Sequence, residues 1–170
     1  AAPSAYWDKV VNRKNSEFLL EPDVDDDFVY MDEYLNYLIT TLGNSESETG
    51  FKAYALDNEP SLWKHTHSLI QQEPLTCAEL IEKSVDLAKV VKDMDCNADV
   101  FGPSLFGYSA FDTLAGAPDW NQLEKEKNYR WFIDYYLDEM RKAEEENGIR
   151  LLDVLAVLVF GLRTHAKDRD

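Results

Sequence analysis

Asn58 and Glu59 are the residues of this sequence whose types and spacing most directly suggest chemistry. They lie in the run FKAYALDNEPSLW, positions 51–63, where an apolar stretch ends on a carboxamide and a carboxylic acid just ahead of Pro60. Pro60 cannot donate to a sheet ladder and favours an extended backbone at Glu59, so we expect the carboxyl at a strand end. A carboxyl held there suits proton transfer. In glycoside hydrolysis, for example, one acid protonates the leaving oxygen and a second carboxylate attacks or activates water.

Asn58 adds a neutral hydrogen-bond donor that can bind a sugar hydroxyl beside Glu59. Strict alternation along a strand would send these two side chains to opposite faces, so a shared site requires a twist or a bulge at the strand end. The alternative is a polar loop that follows a strand and leaves the Glu59 carboxyl solvated. The short motif by itself does not separate the two interpretations.

Aromatic side chains favour the carbohydrate interpretation, because flat rings offer an apolar platform to the C–H faces of a sugar. Trp63 lies shortly after Glu59, and residues 103–120 are predicted to form a long loop rich in rings. Those rings are Phe106, Tyr108, Phe111 and Trp120. We assign substrate contact to Trp63, Tyr108 and Trp120, and the alternative for each ring is packing against the sheet. Trp131 is assigned to the core or the surface of a helix.

An acidic cluster precedes the first predicted helix and is a candidate metal site. It consists of Asp23, Asp25, Asp26 and Asp27. Carboxylates are the hard oxygen ligands that calcium takes in sets of about six to eight, although the glycine and final glutamate of an EF-hand are absent. The alternative is that these carboxylates cap free N–H groups at the helix start and face the positive end of its dipole.

The net charge of the chain limits the classes of partner that it can bind. With 33 acidic and 17 basic residues among 170, the formal charge of −16 opposes approach to nucleic acid and to an anionic membrane surface. The most apolar run, residues 151–162, contains Asp153 and is shorter than the roughly 20 residues that a membrane span needs. No signal peptide stands at the start of this sequence, so a secreted protein would already have lost it. No protein partner is implied.

Helix-period and strand-like segments alternate along the chain, and these elements must position the candidate residues. In order, we predict a helix at 31–42, a strand at 51–57, a helix after Thr76, a strand at 98–103, a helix over 129–147 and a strand at 150–160. Thr76 and Glu79 form a capping box. Repeated β-helix-β units give a parallel sheet, either doubly wound or closed as a (β/α) barrel. Both architectures bind ligands at the carboxyl ends of their strands, where Glu59 falls.

Five blocks of sequence together resemble the catalytic domain of glycoside hydrolase family 44, the endoglucanases and xyloglucanases. The blocks are YALDNEPSLWKHTH, PDVDDDFVYMDEYLNYLI, ADVFGPSLFGY, APDW and YRWFIDYYLDEM. The resemblance implies an α/β fold that is a segment of a (β/α)8 TIM barrel, roughly strands 4 to 6 with flanking helices. It gives Glu59 the role of general acid/base and Asn58 that of a sugar contact. Residues 156–170 depart from the family pattern.

The resemblance also implies what the chain binds and what it lacks. The family's nucleophilic glutamate has no matching position here, the substrate is a β-glucan, and no cofactor is required for the chemistry. A structural calcium ion in the family raises Asp23 and Asp26 as metal ligands. We therefore expect a single partial domain, residues 1–170, of a secreted retaining endo-β-1,4-glucanase. Two alternatives stay open: a noncatalytic acidic carbohydrate-binding or calcium-stabilised fragment, and an intracellular α/β protein unrelated to sugars.

Overall fold

Five strands and six α-helices make up the part of the chain that the computed structural model describes, which is residues 9–21, 23 and 25–158. The strands are β1 (Lys9–Val11), β2 (Phe28–Tyr30), β3 (Ala53–Ala55), β4 (Asp99–Phe106) and β5 (Val154–Leu158). The helices are α1 (Met31–Leu42), α2 (Trp63–Thr66), α3 (Cys77–Met94), α4 (Gly107–Thr113), α5 (Trp120–Lys127) and α6 (Phe132–Asn147), and a 3₁₀ turn covers Pro60–Leu62. None of the helices within these ranges is both long and apolar enough to cross a bilayer.

The strands form two parallel sheets. A small pair, β1 with β2, stands apart from a three-stranded sheet with the order β3, β4, β5. In the larger sheet Ala55 lies opposite Phe101, and Phe101 lies opposite Val154. Helices connect each strand of this sheet to the next. Such a crossover is needed because each parallel strand must start at the same end of the sheet as its neighbour. The predicted α/β class with a parallel sheet is confirmed.

The two faces of the larger sheet differ in how they are covered. On one face Val100 is fully buried, and a Cβ added at Gly102 would lie 3.0 Å from Leu56 Cδ1 and 3.1 Å from Tyr136 Oη of α6. Helix α6 therefore packs against the sheet closely enough that only glycine fits without displacing its neighbours. On the other face Ala55 is exposed and Phe101 is only half-buried. A face of this kind forms the interior of a closed barrel.

Helix α3 begins where the capping box predicts. The Thr76 hydroxyl accepts a hydrogen bond from the Glu79 N–H at 3.0 Å. The carboxylate of Asp119, from the segment before α5, accepts from the N–H groups of Cys77 at 2.8 Å and Ala78 at 3.1 Å. Three of the free N–H groups at the helix start are thus satisfied, which fixes this end of α3 against the segment between α4 and α5.

Two expectations about local structure are wrong. Residues 103–120 do not form a long aromatic loop, because β4 continues to Phe106 and α4 follows at once. The Asp25 to Asp27 cluster does not cap α1, since β2 intervenes and the residue before the helix is Tyr30, which makes no side-chain cap. The last predicted strand is confirmed over Val154–Leu158, and its final two residues lie outside the described ranges.

Candidate active site

The backbone of Glu59 is held on both sides by hydrogen bonds. Its N–H donates to the carbonyl of Ser104 at 2.9 Å, and its own carbonyl accepts from the N–H of Leu62 at 2.9 Å. These bonds put Glu59 in the left-handed region, with φ 52° and ψ 53°. The expectation of an extended backbone before Pro60 is therefore wrong, because the two hydrogen bonds outweigh the roughly 1–2 kcal/mol that this conformation costs a residue with a side chain.

Ser104 provides the acceptor because β4 is irregular at this point. The pairing of β4 with β5 shifts between Pro103 and Leu105, and Ser104, which is 7% exposed, has a positive φ of 54°. A bulge turns the backbone out of the regular ladder, so a carbonyl becomes available to a neighbouring segment. The carboxyl end of β3 is thereby tied to the carboxyl-terminal half of β4, where barrel and doubly wound folds bind their ligands.

Asp57 and Asn58 lead from β3 into this turn. The Asp57 carboxylate accepts a hydrogen bond from the Asn58 N–H. Loss of surrounding water raises the pKa of the Asp57 carboxyl, and the Asn58 N–H and the Trp63 side chain act in the opposite direction. Asn58 itself is exposed, so its carboxamide is accessible to a ligand beside Glu59.

A cavity of about 980 Å³ opens next to this strand end. Its lining includes Leu56, Asp57, Trp63 and His67 after β3, together with residues of β1, α3 and α6. Neither Asn58 nor Glu59 contributes to its wall, so the cavity lies beside the candidate acid and does not surround it. Trp63 is half-buried, packs against the core and lines this cavity.

A second group of rings follows the end of β4. Tyr108 stacks on Phe111 with ring centroids 6.4 Å apart, and Phe111 contacts Trp131 at 5.5 Å. The Arg130 guanidinium lies 4.4 Å from the centroid of the Trp131 ring. Tyr108 is 72% exposed. Because α4 begins directly after β4, these rings follow the carboxyl end of β4, as Glu59 follows the carboxyl end of β3.

Trp120 does not belong with these accessible rings. It is 4% exposed and packs edge-on against Phe132, with centroids 6.5 Å apart and planes at 83°. A ring buried in the core offers no face to a ligand, so substrate contact by Trp120 is incompatible with this packing. The sequence did not reveal this, because Trp120 was expected at the end of a loop, whereas it begins α5 and its burial depends on contact with Phe132 of α6.

The acidic loop does not assemble a metal site from the described residues. The Asp26 carboxylate accepts from the Phe28 N–H at 3.0 Å and from the Tyr30 hydroxyl at 2.9 Å, and the Asp23 carboxylate accepts from the Asp25 N–H at 3.0 Å. Across residues 9–21, 23 and 25–158, no three acidic, histidine or cysteine side chains come close enough together to hold an ion. Asp23 and Asp26 therefore act as turn-forming residues in this arrangement.

Ser104, Phe111 and Trp131 were not assigned to the site from the sequence. Trp131 was assigned to a helix, yet its backbone is extended and it immediately precedes α6. Tyr108 and Phe111 stand three residues apart, which is the spacing of neighbours on a helix, and this signal could have identified α4. The positive φ of Ser104 has no sequence signal, because serine adopts it here only through the bulge.

A glutamate and a carboxamide at the end of a parallel strand, with accessible rings at the next strand end, are the features of a glycoside hydrolase. The family model described as glycoside hydrolase family 44 matches residues 1–160. The chain belongs to this family.

Relatives of known structure and name support the assignment. Endoglucanase A of Paenibacillus lautus is 53% identical over 156 residues, which cover 92% of this chain and 22% of that protein. The structure of a Paenibacillus polymyxa xyloglucanase with xyloglucan superposes with a TM-score of 0.85 at 50% identity, covering 92% of this chain and 30% of that one. The family 44 endoglucanase of Clostridium thermocellum gives 0.83 at 53% identity, covering 87% and 29%. The chain thus spans less than a third of each relative, and its helices and parallel sheet correspond to a segment of their fold.

Proposed function

We propose that the chain is the central part of the catalytic barrel of a retaining endo-β-1,4-glucanase, in which Glu59 is the general acid and base. The observation that carries this proposal is the double backbone anchoring of Glu59 at the carboxyl end of β3, beside the bulge of β4. Relatives named endoglucanase and xyloglucanase support a β-glucan polysaccharide or oligosaccharide as the substrate. Because a polysaccharide does not cross a membrane, we propose that the enzyme acts outside the cell.

In the proposed reaction Glu59 works twice. It first protonates the glycosidic oxygen as that bond breaks, and then takes a proton from the water that releases the sugar. The second carboxylate of a retaining pair must stand about 5–5.5 Å from the first and attack the sugar carbon. No position of this chain matches the family's nucleophile, so the nucleophile belongs to a part of the barrel that these residues do not span.

The neighbours of Glu59 would bind the sugar that the acid protonates. The exposed carboxamide of Asn58 can donate to a sugar hydroxyl, and the half-buried ring of Trp63 can pack against a sugar face. Tyr108 offers a second ring at the end of β4. None of these contacts requires a cofactor. The structural calcium ion suggested by the resemblance has no ligand set in Asp23 and Asp26 alone, and it is not part of this proposal.

A second candidate function is carbohydrate binding without turnover. The observation that favours it is that Asn58 and Tyr108 are exposed and can contact a sugar without any reaction. The two candidates share Asn58, Trp63 and Tyr108 and differ in whether Glu59 matters for bond cleavage.

The test supplies the rest of the barrel from a relative. In a barrel chimera, residues 1–155 of this chain replace the matching segment of the Clostridium thermocellum endoglucanase, which is 53% identical to this chain. We expect Glu59→Gln in this chimera to lower turnover of soluble glucan and xyloglucan by roughly 10²–10⁴. Glu124→Gln, at an exposed position of α5, is the matched control and should leave turnover unchanged. Equal turnover in the Glu59→Gln and parent chimeras would contradict the proposal.

A further inference from the structure

The Asp57 carboxylate interacts with both ends of the turn that carries Glu59. It accepts a hydrogen bond from the N–H of Asn58, the residue before Glu59. The Trp63 side chain, four residues beyond Glu59, is a second hydrogen-bond partner of the same carboxyl. Because the indole N–H is the one donor that a tryptophan side chain has, this N–H is the group that interacts with Asp57. One carboxylate therefore bridges residues 58 and 63 across the turn.

Helix α2 brings a third side chain to this carboxylate. The N–H of His67 donates to the carbonyl of Trp63 at 2.7 Å, so the two residues lie one helical turn apart. Side chains at this spacing project from the same face of a helix, and both line the cavity together with Asp57. The charge of His67 lowers the pKa of the Asp57 carboxyl, as the Trp63 side chain does. Asp57 is thus the common partner of the groups on this face of α2.

The turn backbone alone does not require Asp57. The candidate acid Glu59 is already held by two backbone hydrogen bonds, to Ser104 and from Leu62. Loss of surrounding water nevertheless raises the pKa of the Asp57 carboxyl, although the residue keeps contact with solvent. Partial desolvation of a carboxylate costs free energy, which hydrogen-bond donors offset. The contacts of Asp57 therefore indicate a role in orienting side chains.

The bridge limits the motion of two side chains that would otherwise be loosely defined. The terminal torsions of asparagine and tryptophan have broad energy minima. A hydrogen bond to the Asn58 N–H fixes the backbone from which the carboxamide projects, and a partner for the indole N–H selects one orientation of the Trp63 ring. Groups that are oriented in advance lose less conformational freedom when a ligand binds.

We propose that Asp57 is a positioning residue, which joins Asn58 to Trp63 and orients both side chains for the sugar that Glu59 protonates. This inference rests on the proposed function. Asp57 contacts no reacting atom in this role, because it acts through the two side chains that it orients. Loss of Asp57 should therefore weaken substrate binding more than it slows bond cleavage.

NMR of the full chain tests the bridge without any activity. Trp63→Phe identifies the Trp63 indole N–H resonance by its disappearance. We expect Asp57→Ala to speed exchange of this N–H with D2O by at least roughly tenfold, because a charge-assisted hydrogen bond is lost. Asp57→Asn should speed it less, since a carbonyl oxygen remains. Asp99→Ala is the matched control, because Asp99 is exposed at the amino end of β4. Unchanged indole exchange in Asp57→Ala overturns the inference.

Kinetics of the barrel chimera test the positioning role. Asp57→Ala should raise KM for soluble glucan roughly tenfold and change kcat less than about twofold, and Asp57→Asn should recover part of the loss. A merely structural role would instead reduce the amount of active enzyme, which lowers kcat at unchanged KM. In a background that combines Asn58→Ala with Trp63→Phe, adding Asp57→Ala should leave KM unchanged, because the carboxylate then has no side chain to orient.

The outcomes separate this inference from the function on which it rests. If Glu59→Gln stops turnover and Asp57→Ala lowers kcat at unchanged KM, the positioning role is overturned while the proposed function stands. If Asp57→Ala raises KM as expected but Glu59→Gln leaves the chimera fully active, the positioning role stands and the catalytic assignment fails. An equal rise in KM in Asp99→Ala, or a further rise in the combined background, also overturns the positioning role.

Discussion

The N–H of Glu59 donates a 2.9 Å hydrogen bond to the carbonyl of Ser104, and both residues have a positive φ. This contact joins the turn after β3 to the bulge of β4. It makes the position of the candidate acid depend on a strained residue in a neighbouring strand. Strain of this kind persists where the surrounding structure determines the backbone, and it is concentrated at functional sites.

The bulge predicts opposite effects of two substitutions at Ser104. Ser104→Val should destabilise the chain by about 1–3 kcal/mol, because a β-branched residue is strained at positive φ, and should speed hydrogen exchange of the Glu59 amide. Ser104→Gly should keep the slow exchange, since glycine adopts this conformation freely. Hydrogen exchange measured by NMR reports the contact directly. Equal protection of the Glu59 amide in both variants would show that the bulge does not position it.

A buried ion pair connects α3, β4 and β5 at the opposite end of the sheet. Lys92 Nζ lies 2.8 Å from Asp153 Oδ2 and 2.8 Å from the carbonyl of Ala98, and the side chains of Lys92 and Asp153 are 6% and 16% exposed. Lys92→Met should cost up to about 3 kcal/mol, because it leaves the largely buried Asp153 carboxylate with only the exposed Arg150, whose Nε lies 3.4 Å from Asp153 Oδ1. Lys83→Met, which breaks an exposed pair with Glu79, should change stability by less than about 0.5 kcal/mol. Urea unfolding measures both, and similar losses would refute a special role for Lys92.

Tyr136 predicts a loss of stability at alkaline pH. Burial raises the pKa of its hydroxyl from 10.0 to about 12. The folded state therefore holds the proton more tightly than the unfolded state. The contribution of this hydroxyl to the free energy of unfolding is fully present below pH 10. Between pH 10 and 12 that free energy falls by about 1.4 kcal/mol per pH unit. Tyr136→Phe should make the decline shallower without removing it, since burial also raises the pKa of Tyr54 and Tyr135.

The same substitution makes a prediction at neutral pH. Within the described residues the Tyr136 hydroxyl is buried and makes no hydrogen bond of good geometry, although the nearby Ser84 side chain acts to lower its pKa. Tyr136→Phe removes this unsatisfied group and should leave the chain equally stable at pH 7, or more stable by up to about 1 kcal/mol. Urea midpoints between pH 7 and 11 measure both effects. A loss of stability at pH 7 would indicate that the hydroxyl does have a partner.

The uncovered sheet face predicts self-association of the chain. Ala55 is exposed on β3, an edge strand, and neighbours the half-buried Phe101. Unpaired edges and apolar faces promote pairing between copies. Sedimentation velocity should therefore show mass increasing with concentration, and Ala55→Lys should reduce this increase by placing a charge on the edge. Thr40→Lys, on the exposed side of α1, controls for net charge. A concentration-independent monomer would count against a barrel segment.

Periodic helices were predictable from the sequence, whereas irregular backbone was not. The bounds of α1 match the prediction, and Thr76 caps α3 as expected, because both features depend on residues close together in the chain. The parallel pair of β1 and β2 was not predicted. Its strands have three residues each, too few for alternation to be recognised, and their pairing joins segments far apart in sequence.

For the candidate site, the position of two residues along the fold was predictable and the local geometry was not. Glu59 and Tyr108 were proposed from residue type and position, and both follow strand ends in the structure. The predictions of an extended backbone at Glu59 and of substrate contact by Trp120 were wrong, because each outcome depends on a tertiary contact. That contact is the Ser104 carbonyl for Glu59 and the Phe132 ring for Trp120. Local preference for an extended residue before proline is small enough that such contacts override it.

Chemical rescue of Glu59 tests the central claim most directly. In the barrel chimera, Glu59→Ala should still release dinitrophenol from an activated cellobioside, because that leaving group needs little protonation, and then stall before water attacks. Added azide needs no general base, so it should raise turnover of Glu59→Ala by at least roughly tenfold and yield a glycosyl azide of retained configuration, without accelerating the parent chimera. Absence of rescue, or a product of inverted configuration, would contradict the assignment of Glu59 as the acid and base of a retaining enzyme.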